Sequence, residues 1–375
     1  MPKTNAADAG FDYRKIAEAL RDEIRAGAYA GSGSFPSLTK IMQRFGVSRP
    51  SAVRSVAELK RMGLVAARKG AGTFVQTRNR TIGIAIPGTA DSEFFSAIMD
   101  GIVFNCNKCG IDLVAGSMFP VDHIKRASQA ERLARHFASI RVGGVIMQPV
   151  GFAENADSIN GVIADILGKA GIPVVLIDYD ILPPPARSSY DLVSIDNFTA
   201  GRRIAAHLLE AGAKRICCLL RRLSAESVRT RYAGVEAEVI RATGGRRVNV
   251  IVSEPDDART ISAGLKKCRP DAIVCSNDIA ANMLAKTLAK LGLRIPDDVM
   301  LTGFDDVELA RGMNPPLTTI RQPCFEIASM AFRTLLERMA KPNIPPREIL
   351  LDTKLVVRAS TIRHAHRPRK TGKSC

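Results

Sequence analysis

The chain has 375 residues, 46% of them hydrophobic and 24% charged, with 54 Lys+Arg against 37 Asp+Glu and a formal net charge of +17. That length leaves room for two or three domains with their own cores, and the apolar content excludes a chain too polar to fold. No run approaches the roughly 18 consecutive apolar residues needed to cross a bilayer, which excludes a membrane-spanning helix and predicts no membrane partner.

The charge is unevenly placed. Residues 1–80 carry 15 Lys+Arg against 6 Asp+Glu, the last 17 residues add five positives and no acid, and positions 81–358 hold a surplus of only +3. A basic module on a near-neutral body is the footprint of a nucleic-acid binder; the bland alternative is a solubilising charge excess. The N-terminus lacks a signal-peptide pattern, so a cytoplasmic location is expected, with the eight cysteines as thiols.

In chain order, Ile16, Leu20 and Ile24 recur at helical spacing and the pattern stops near Gly27. Leu38, Ile41, Met42 and Phe45 form a second short stripe ended by Gly46. Ser48 is a suitable N-cap for a third helix with Ala52, Val56 and Leu59 inward. Leu64–Ala67 and Thr73–Gln76 read as strands flanking a glycine-bearing hairpin tip at 69–72. A helix entering the major groove needs short side chains at its first turn and long donors nearby. Ser48-Arg49-Pro50-Ser51 and Arg54 supply them, and Arg68 and Lys69 on the hairpin could reach the flanking backbone.

From Arg80 onward the pattern changes. Apolar runs of strand length at 82–86, 113–115, 144–147, 174–177, 216–220, 272–275 and 299–301 alternate with helical segments, which predicts parallel sheets of βαβ units. Such sheets bind ligands beyond the carboxyl ends of their strands. There the chain places Asp91, Arg231, Asn277 and Asp305, hydrogen-bonding groups suited to hydroxyl pairs, and Phe94 and Phe95, an apolar face for a ring. One of the two phenylalanines is expected in the core. Asp278 is read as capping the helix that follows it, and Asp196-Asn197 as a turn. Beyond Arg363 the chain is polar and basic, and is expected to be disordered.

Two resemblances rest on these residues. Tyr13–Val75 resembles the GntR-type winged helix through Tyr13-Arg14-Lys15-Ile16-Ala17, Phe35-Pro36-Ser37, Phe45-Gly46-Val47-Ser48-Arg49, Gly63-Leu64-Val65 and Gly70-Ala71-Gly72-Thr73-Phe74-Val75. The resemblance implies a recognition helix starting at Ser48-Arg49 and a wing entering the minor groove. The implied DNA contacts are Ser37, Thr39, Ser48, Arg49, Pro50, Ser51, Arg54, Arg68, Lys69, Gly70 and Gly72. Two positions depart from the pattern. Leu38 stands where that family usually has Glu, and Val53 stands where it has a DNA-contacting Arg, with Arg54 one place later.

Residues 81–362 resemble the effector domain of the LacI/GalR family. The match includes Ile82-Gly83-Ile84, Phe94-Phe95, Ile195-Asp196-Asn197, Arg231 with Gly234, Ser276-Asn277-Asp278, Gly303-Phe304-Asp305-Asp306 and Pro315-Pro316-Leu317-Thr318-Thr319-Ile320. The resemblance implies a ligand cleft between two α/β subdomains, with Arg231 and Asp305 on the ligand and Gln148, Asp178, Ser227 and Gln322 as further candidates. That family's hinge helix has no counterpart in Gln76–Arg80, so coupling to DNA is expected through the geometry of a homodimer.

The fold class predicted is α/β: an N-terminal winged helix-turn-helix plus a periplasmic-binding-protein-like domain of two doubly wound parallel-sheet subdomains. The expected divisions are 11–76, a linker at 77–80, the sensor at 81–362 and a tail at 363–375. The function expected is a DNA-binding transcriptional repressor governed by a small polar effector, foremost a sugar. The alternative is a cytosolic sugar-binding protein with a non-functional winged helix. An enzyme is disfavoured: Cys106-Asn107-Lys108-Cys109 has no matching pair at metal spacing, the five histidines complete no triad, and phosphate-binding glycine loops are absent, so no cofactor or metal is predicted.

Overall fold

The computed structural model describes residues 13–25, 28–29, 35–62, 64–68, 72–75, 81–86, 93–117, 126–151 and 155–363. Side chains at 25, 68, 117, 126 and 127 are not described. The chain separates into two compact units at Arg80/Thr81. Lys69, Gly70, the 77–80 linker, Asp91 and the tail beyond Arg363 lie outside the described residues.

The first unit packs α1 (Tyr13–Arg25), α2 (Leu38–Phe45) and α3 (Arg49–Arg61) against a hairpin of β1 (Val65–Arg68) and β2 (Gly72–Val75). Ile16 and Leu20 of α1, Ile41 of α2, and Ala52, Val56 and Leu59 of α3 share one core with Phe35, Val65 and Val75. Ser37 caps α2 by accepting from the Lys40 N–H, and Gly46 ends it at φ +63°, the left-handed position where a side chain would be strained. Ser48 occupies the N-cap position of α3 but makes no capping bond; its hydroxyl lies 3.2 Å from that of Ser51. The hairpin pairs Arg68 with Gly72. Phe35 N–H donates to Thr73 O, which pins the segment before α2 to the wing.

The second unit holds two parallel sheets. The first has the order β13-β7-β6-β5-β3-β4, from β3 (Thr81–Ile86), β4 (Asp112–Ser117), β5 (Gly144–Met147), β6 (Val174–Ile177), β7 (Asp191–Ile195) and β13 (Glu348–Leu351). The second has the order β11-β10-β8-β9, from β8 (Ile216–Leu220), β9 (Asn249–Val252), β10 (Ala272–Val274) and β11 (Met300–Thr302). Its last piece is an antiparallel ribbon of β12 (Thr319–Arg321) and β14 (Lys354–Val356). Strands β5 and β6 are buried at every position because helices cover both faces.

Both sheets repeat one winding. The first strand lies between the second and the third, so the topology reverses between β3 and β5 and again between β8 and β10. A crevice opens at such a switch point beyond the strand ends. The chain passes between subdomains three times: from β7 into α7 (Asn197–Glu210), from β12 into α12 (Cys324–Ala340), and from β13 to β14. Strands β7, β9, β12, β13 and β14 were absent from the seven apolar runs expected. β9 and β13 are sheet edges with mostly exposed or half-exposed residues, β12 and β14 have three residues each, and β7 is interrupted by polar Asp191 and Ser194.

Candidate functional site

On α3 the apolar stripe of Ala52, Val56 and Leu59 faces inward. At about 100° per residue, Pro50 and Arg54 lie opposite that stripe, while Arg49 and Val53 share one flank. Arg49 and Arg54 are exposed, and among the described residues neither is ion-paired; Val53 is 44% exposed. Thr39, Ser37 and Pro50 are exposed too, Ser48 and Ser51 half-buried, and Gly72 sits at φ +97° beside the wing loop. Arg44 differs in kind. It grips Glu23 of α1 through both terminal nitrogens, holding that carboxyl below its ordinary value, and Glu23 also accepts from the Tyr29 hydroxyl. Arg44 therefore staples α1 to α2.

In the sensor, Arg231 is the centre of a buried network. It lies on α8 (Glu226–Thr243) and is only 4% exposed. Its Nε and Nη2 donate to Asn197 Oδ1 at 3.3 and 3.0 Å, and its Nη1 to the Ser276 carbonyl at 2.6 Å. The guanidinium lies 3.2 Å from the centre of the Phe304 ring, a stacked cation–π contact. Burial works against its charge and lowers its pKa, with Asp305 and Asp178 opposing that shift.

Those two carboxylates come from opposite subdomains. Asp178 follows β6 and accepts from Gln148 Nε2 at 2.8 Å, and Ser227 of α8 favours its charged form. Asp305 follows β11 and accepts from Gln322 Nε2 at 2.7 Å. Burial raises the pKa of both, and Asp305 is pushed up to about 7 although Arg231 and Gln322 favour its charged form. Asp178, Asp305 and Asp306 have φ of +76°, +107° and +56°, left-handed conformations that cost about 1–3 kcal/mol each and cluster at functional sites. The neighbouring Asp306 is held by Arg321 at 2.6 Å and by Arg358 and serves the scaffold. Gln148 is 5% exposed, and its Oε1 has no hydrogen-bond partner among the described residues.

The structure thus brings Gln148, Asp178, Ser227, Arg231, Asp305 and Gln322 together. Phe94 belongs to the core, and Phe95 is half-buried against it edge-on at 4.9 Å. Asn277, expected on the ligand, caps α10 (Asp278–Lys290) by accepting from Ala280 N–H. The cap expected of Asp278 is corrected: buried Asp278 instead accepts from Thr319 Oγ1 at 2.7 Å and Val307 N–H at 3.0 Å, tying α10 to the second crossover, with its pKa pushed up to about 8 by burial and then Asp305. Asn197, read as part of a turn, is a further correction, since it opens α7 and orients Arg231. Phe304 and the Ser276 carbonyl were likewise unforeseen. The signal available for Asn197 was its place in the Ile195-Asp196-Asn197 match to the LacI/GalR family.

A cavity of about 370 Å³ adjoins this network between the two subdomains. Asp178, Ser194, Asn197, Ser227 and Thr230 contribute its polar wall, and Leu182, Pro184, Pro185 and Phe198 its apolar one. Cys106, of the CxxC pair, is buried on α4 (Glu93–Cys109) with its thiol pushed up to about 11, while Cys109 is exposed.

Comparison with known proteins gives matches to both units. Residues 12–75 match the gntR family of bacterial regulatory proteins, and residues 205–361 match the periplasmic binding protein-like domain. The HTH-type transcriptional repressor PurR of Vibrio vulnificus (strain CMCP6) is 30% identical over 286 residues, covering 74% of this chain and 80% of the relative. The ribose operon repressor of Haemophilus influenzae is 27% identical over 320 residues, 83% of this chain and 89% of that one. Among solved structures, a LacI family transcriptional regulator from Enterococcus faecium with bound ribose has a TM-score of 0.60 at 25% identity, covering 75% of this chain and 98% of that chain.

Proposed function

The chain belongs to the LacI family of transcriptional regulators, here with a GntR-type reading head, and from that premise we propose that its operator affinity is set by a neutral polyhydroxyl effector, a sugar, bound beside Arg231. The observation that carries this reading is the acceptor surplus in the cleft. Two carboxylates, Asp178 and Asp305, share one guanidinium whose Nε, Nη1 and Nη2 already donate within the protein, and Gln148 Oε1 has no hydrogen-bond partner among the described residues. A ligand rich in donors satisfies such a site, whereas an anion meets two carboxylates set against a single guanidinium. The ribose in the Enterococcus faecium structure and the ribose operon repressor agree with that chemistry.

The reading head comprises 11–76, with 77–80 as linker, 81–362 as sensor and 363–375 as a basic tail. Ser37, Thr39, Ser48, Arg49, Pro50, Ser51, Arg54 and the wing residues Arg68, Lys69, Gly70 and Gly72 form its DNA surface. The protein works in the cytoplasm as a homodimer and performs no chemical step on its ligand. Effector acts through its differential affinity for open and closed clefts, which changes the spacing of two heads on a two-fold site.

Thermal shift against ribose and other unphosphorylated pentoses, hexoses and disaccharides tests the ligand class, since a ligand at 100 times its Kd adds about 2.7 kcal/mol. Gel mobility shift on the DNA upstream of its own gene, with and without the stabilising sugar, tests the coupling. Equal affinity in both lanes overturns it.

A further inference from the structure

The cleft network brings Asp178 and Ser227 of the two subdomains together, and a hydrogen bond between the subdomains is made elsewhere. Glu93 is the first residue of α4 and directly precedes Phe94 and Phe95. Its Oε2 accepts from the main-chain N–H of Glu308 at 2.6 Å. Glu308 opens the short helix α11 (Glu308–Gly312), three residues beyond Asp305, and its N–H has no partner within that helix. Both ends of the bond are rigidly mounted. On the Glu93 side, α4 packs on α12, where a Cβ at Gly101 would stand 2.6 Å from the Ala328 Cβ and Asn105 donates to Ser329 at 3.0 Å. On the Glu308 side, Val307 N–H donates to buried Asp278 and Ala310 is buried.

We propose that Glu93 is a positioning residue of the effector response: its carboxylate holds the cleft closed by taking the Glu308 N–H, and the bond breaks when the subdomains separate. The proposal rests on the effector-cleft reading for its consequence but not for its geometry. The bond is made by protein atoms alone, so on this proposal the closed state is populated before effector arrives, with effector shifting an existing equilibrium.

The experiment is hydrogen–deuterium exchange at single-residue resolution on the full-length protein without ligand, for wild type, E93A and E93Q. Glu93 is exposed, and unchanged exchange at Ile98 and Ile102 reports that α4 stays folded. We expect the Glu308 amide to exchange about tenfold faster in E93A and within about threefold of wild type in E93Q, which keeps an acceptor oxygen. Equal exchange of Glu308 in wild type and E93A overturns the proposal. A sugar screen run alongside separates the two readings. Protection that depends on Glu93 with no sugar bound leaves the latch standing and the effector class in error; sugar bound equally by wild type and E93A, with Glu308 unchanged, does the reverse.

Discussion

Gly201 of α7 lies against the carbonyl of Arg231 on α8, so closely that a Cβ at Gly201 would collide with that oxygen. Gly234 repeats the relationship in the other direction, against the carbonyl of Phe198. The two helices therefore meet backbone to backbone, and that approach lets Asn197, at the start of α7, reach the Arg231 guanidinium. Gly201→Ala and Gly234→Ala should each destabilise the sensor by roughly 1–3 kcal/mol or more, because the atoms in the way are main chain and cannot swing aside. Calorimetric unfolding reads this, and both variants should also lose the thermal shift given by effector.

Arg231 compensates two buried carboxylates, so its removal reaches beyond ligand contact. Arg231→Ala should cost about 3–5 kcal/mol at neutral pH by leaving Asp178 and Asp305 buried without their cation. The loss should shrink in acid, where both protonate. Arg231→Lys keeps a charge but cannot serve Asn197 and the Ser276 carbonyl together, and should abolish the effector response while sparing DNA binding. Unfolding at pH 5 and pH 8, with gel shift of each variant, checks both statements.

The raised pKa of Asp305 fixes the sign of two pH effects. The folded protein holds this proton up to about 7, whereas the unfolded chain releases it near the ordinary carboxylate value, so stability falls as pH rises across that window. Asp305→Asn should flatten that part of the stability profile. It keeps an oxygen for Gln322, and asparagine tolerates the positive φ. Effector hydroxyls favour the charged carboxylate, so sugar affinity should drop as pH falls below about 7. Calorimetric titration in buffers of different ionisation enthalpy should detect proton release on binding.

On α3, Arg49 and Arg54 occupy different sides, which separates their roles. Arg49→Ala and Arg54→Ala should each weaken operator binding; a base contact costs about 1–3 kcal/mol and changes sequence preference, whereas a phosphate contact lowers the salt slope by about one. Val53 shares the flank of Arg49 and is exposed, so Val53→Arg should alter operator choice with stability nearly unchanged. Salt-dependent affinity on the native site and on single-base variants distinguishes these outcomes.

The sequence alone determined the division near residue 80, the alternation of strands and helices, and most of the polar residues at the strand ends. These are local properties: apolar runs of strand length, helical spacing, a charge excess confined to one module, and residue types that suit a hydroxylated ligand. Tertiary structure decided which of those residues meet. Asn197 and Arg231 lie 34 positions apart, and Glu93 and Glu308 lie 215 apart. The close packing of α7 on α8 and the crossings between subdomains bring such pairs together, and no local pattern records them. The same cause explains the edge strands β9 and β13, whose half-exposed residues take their identity from a neighbour distant in sequence. It also explains Asn277 and Asp278, adjacent polar residues whose capping and bridging roles depend on which helix and which crossover each one faces.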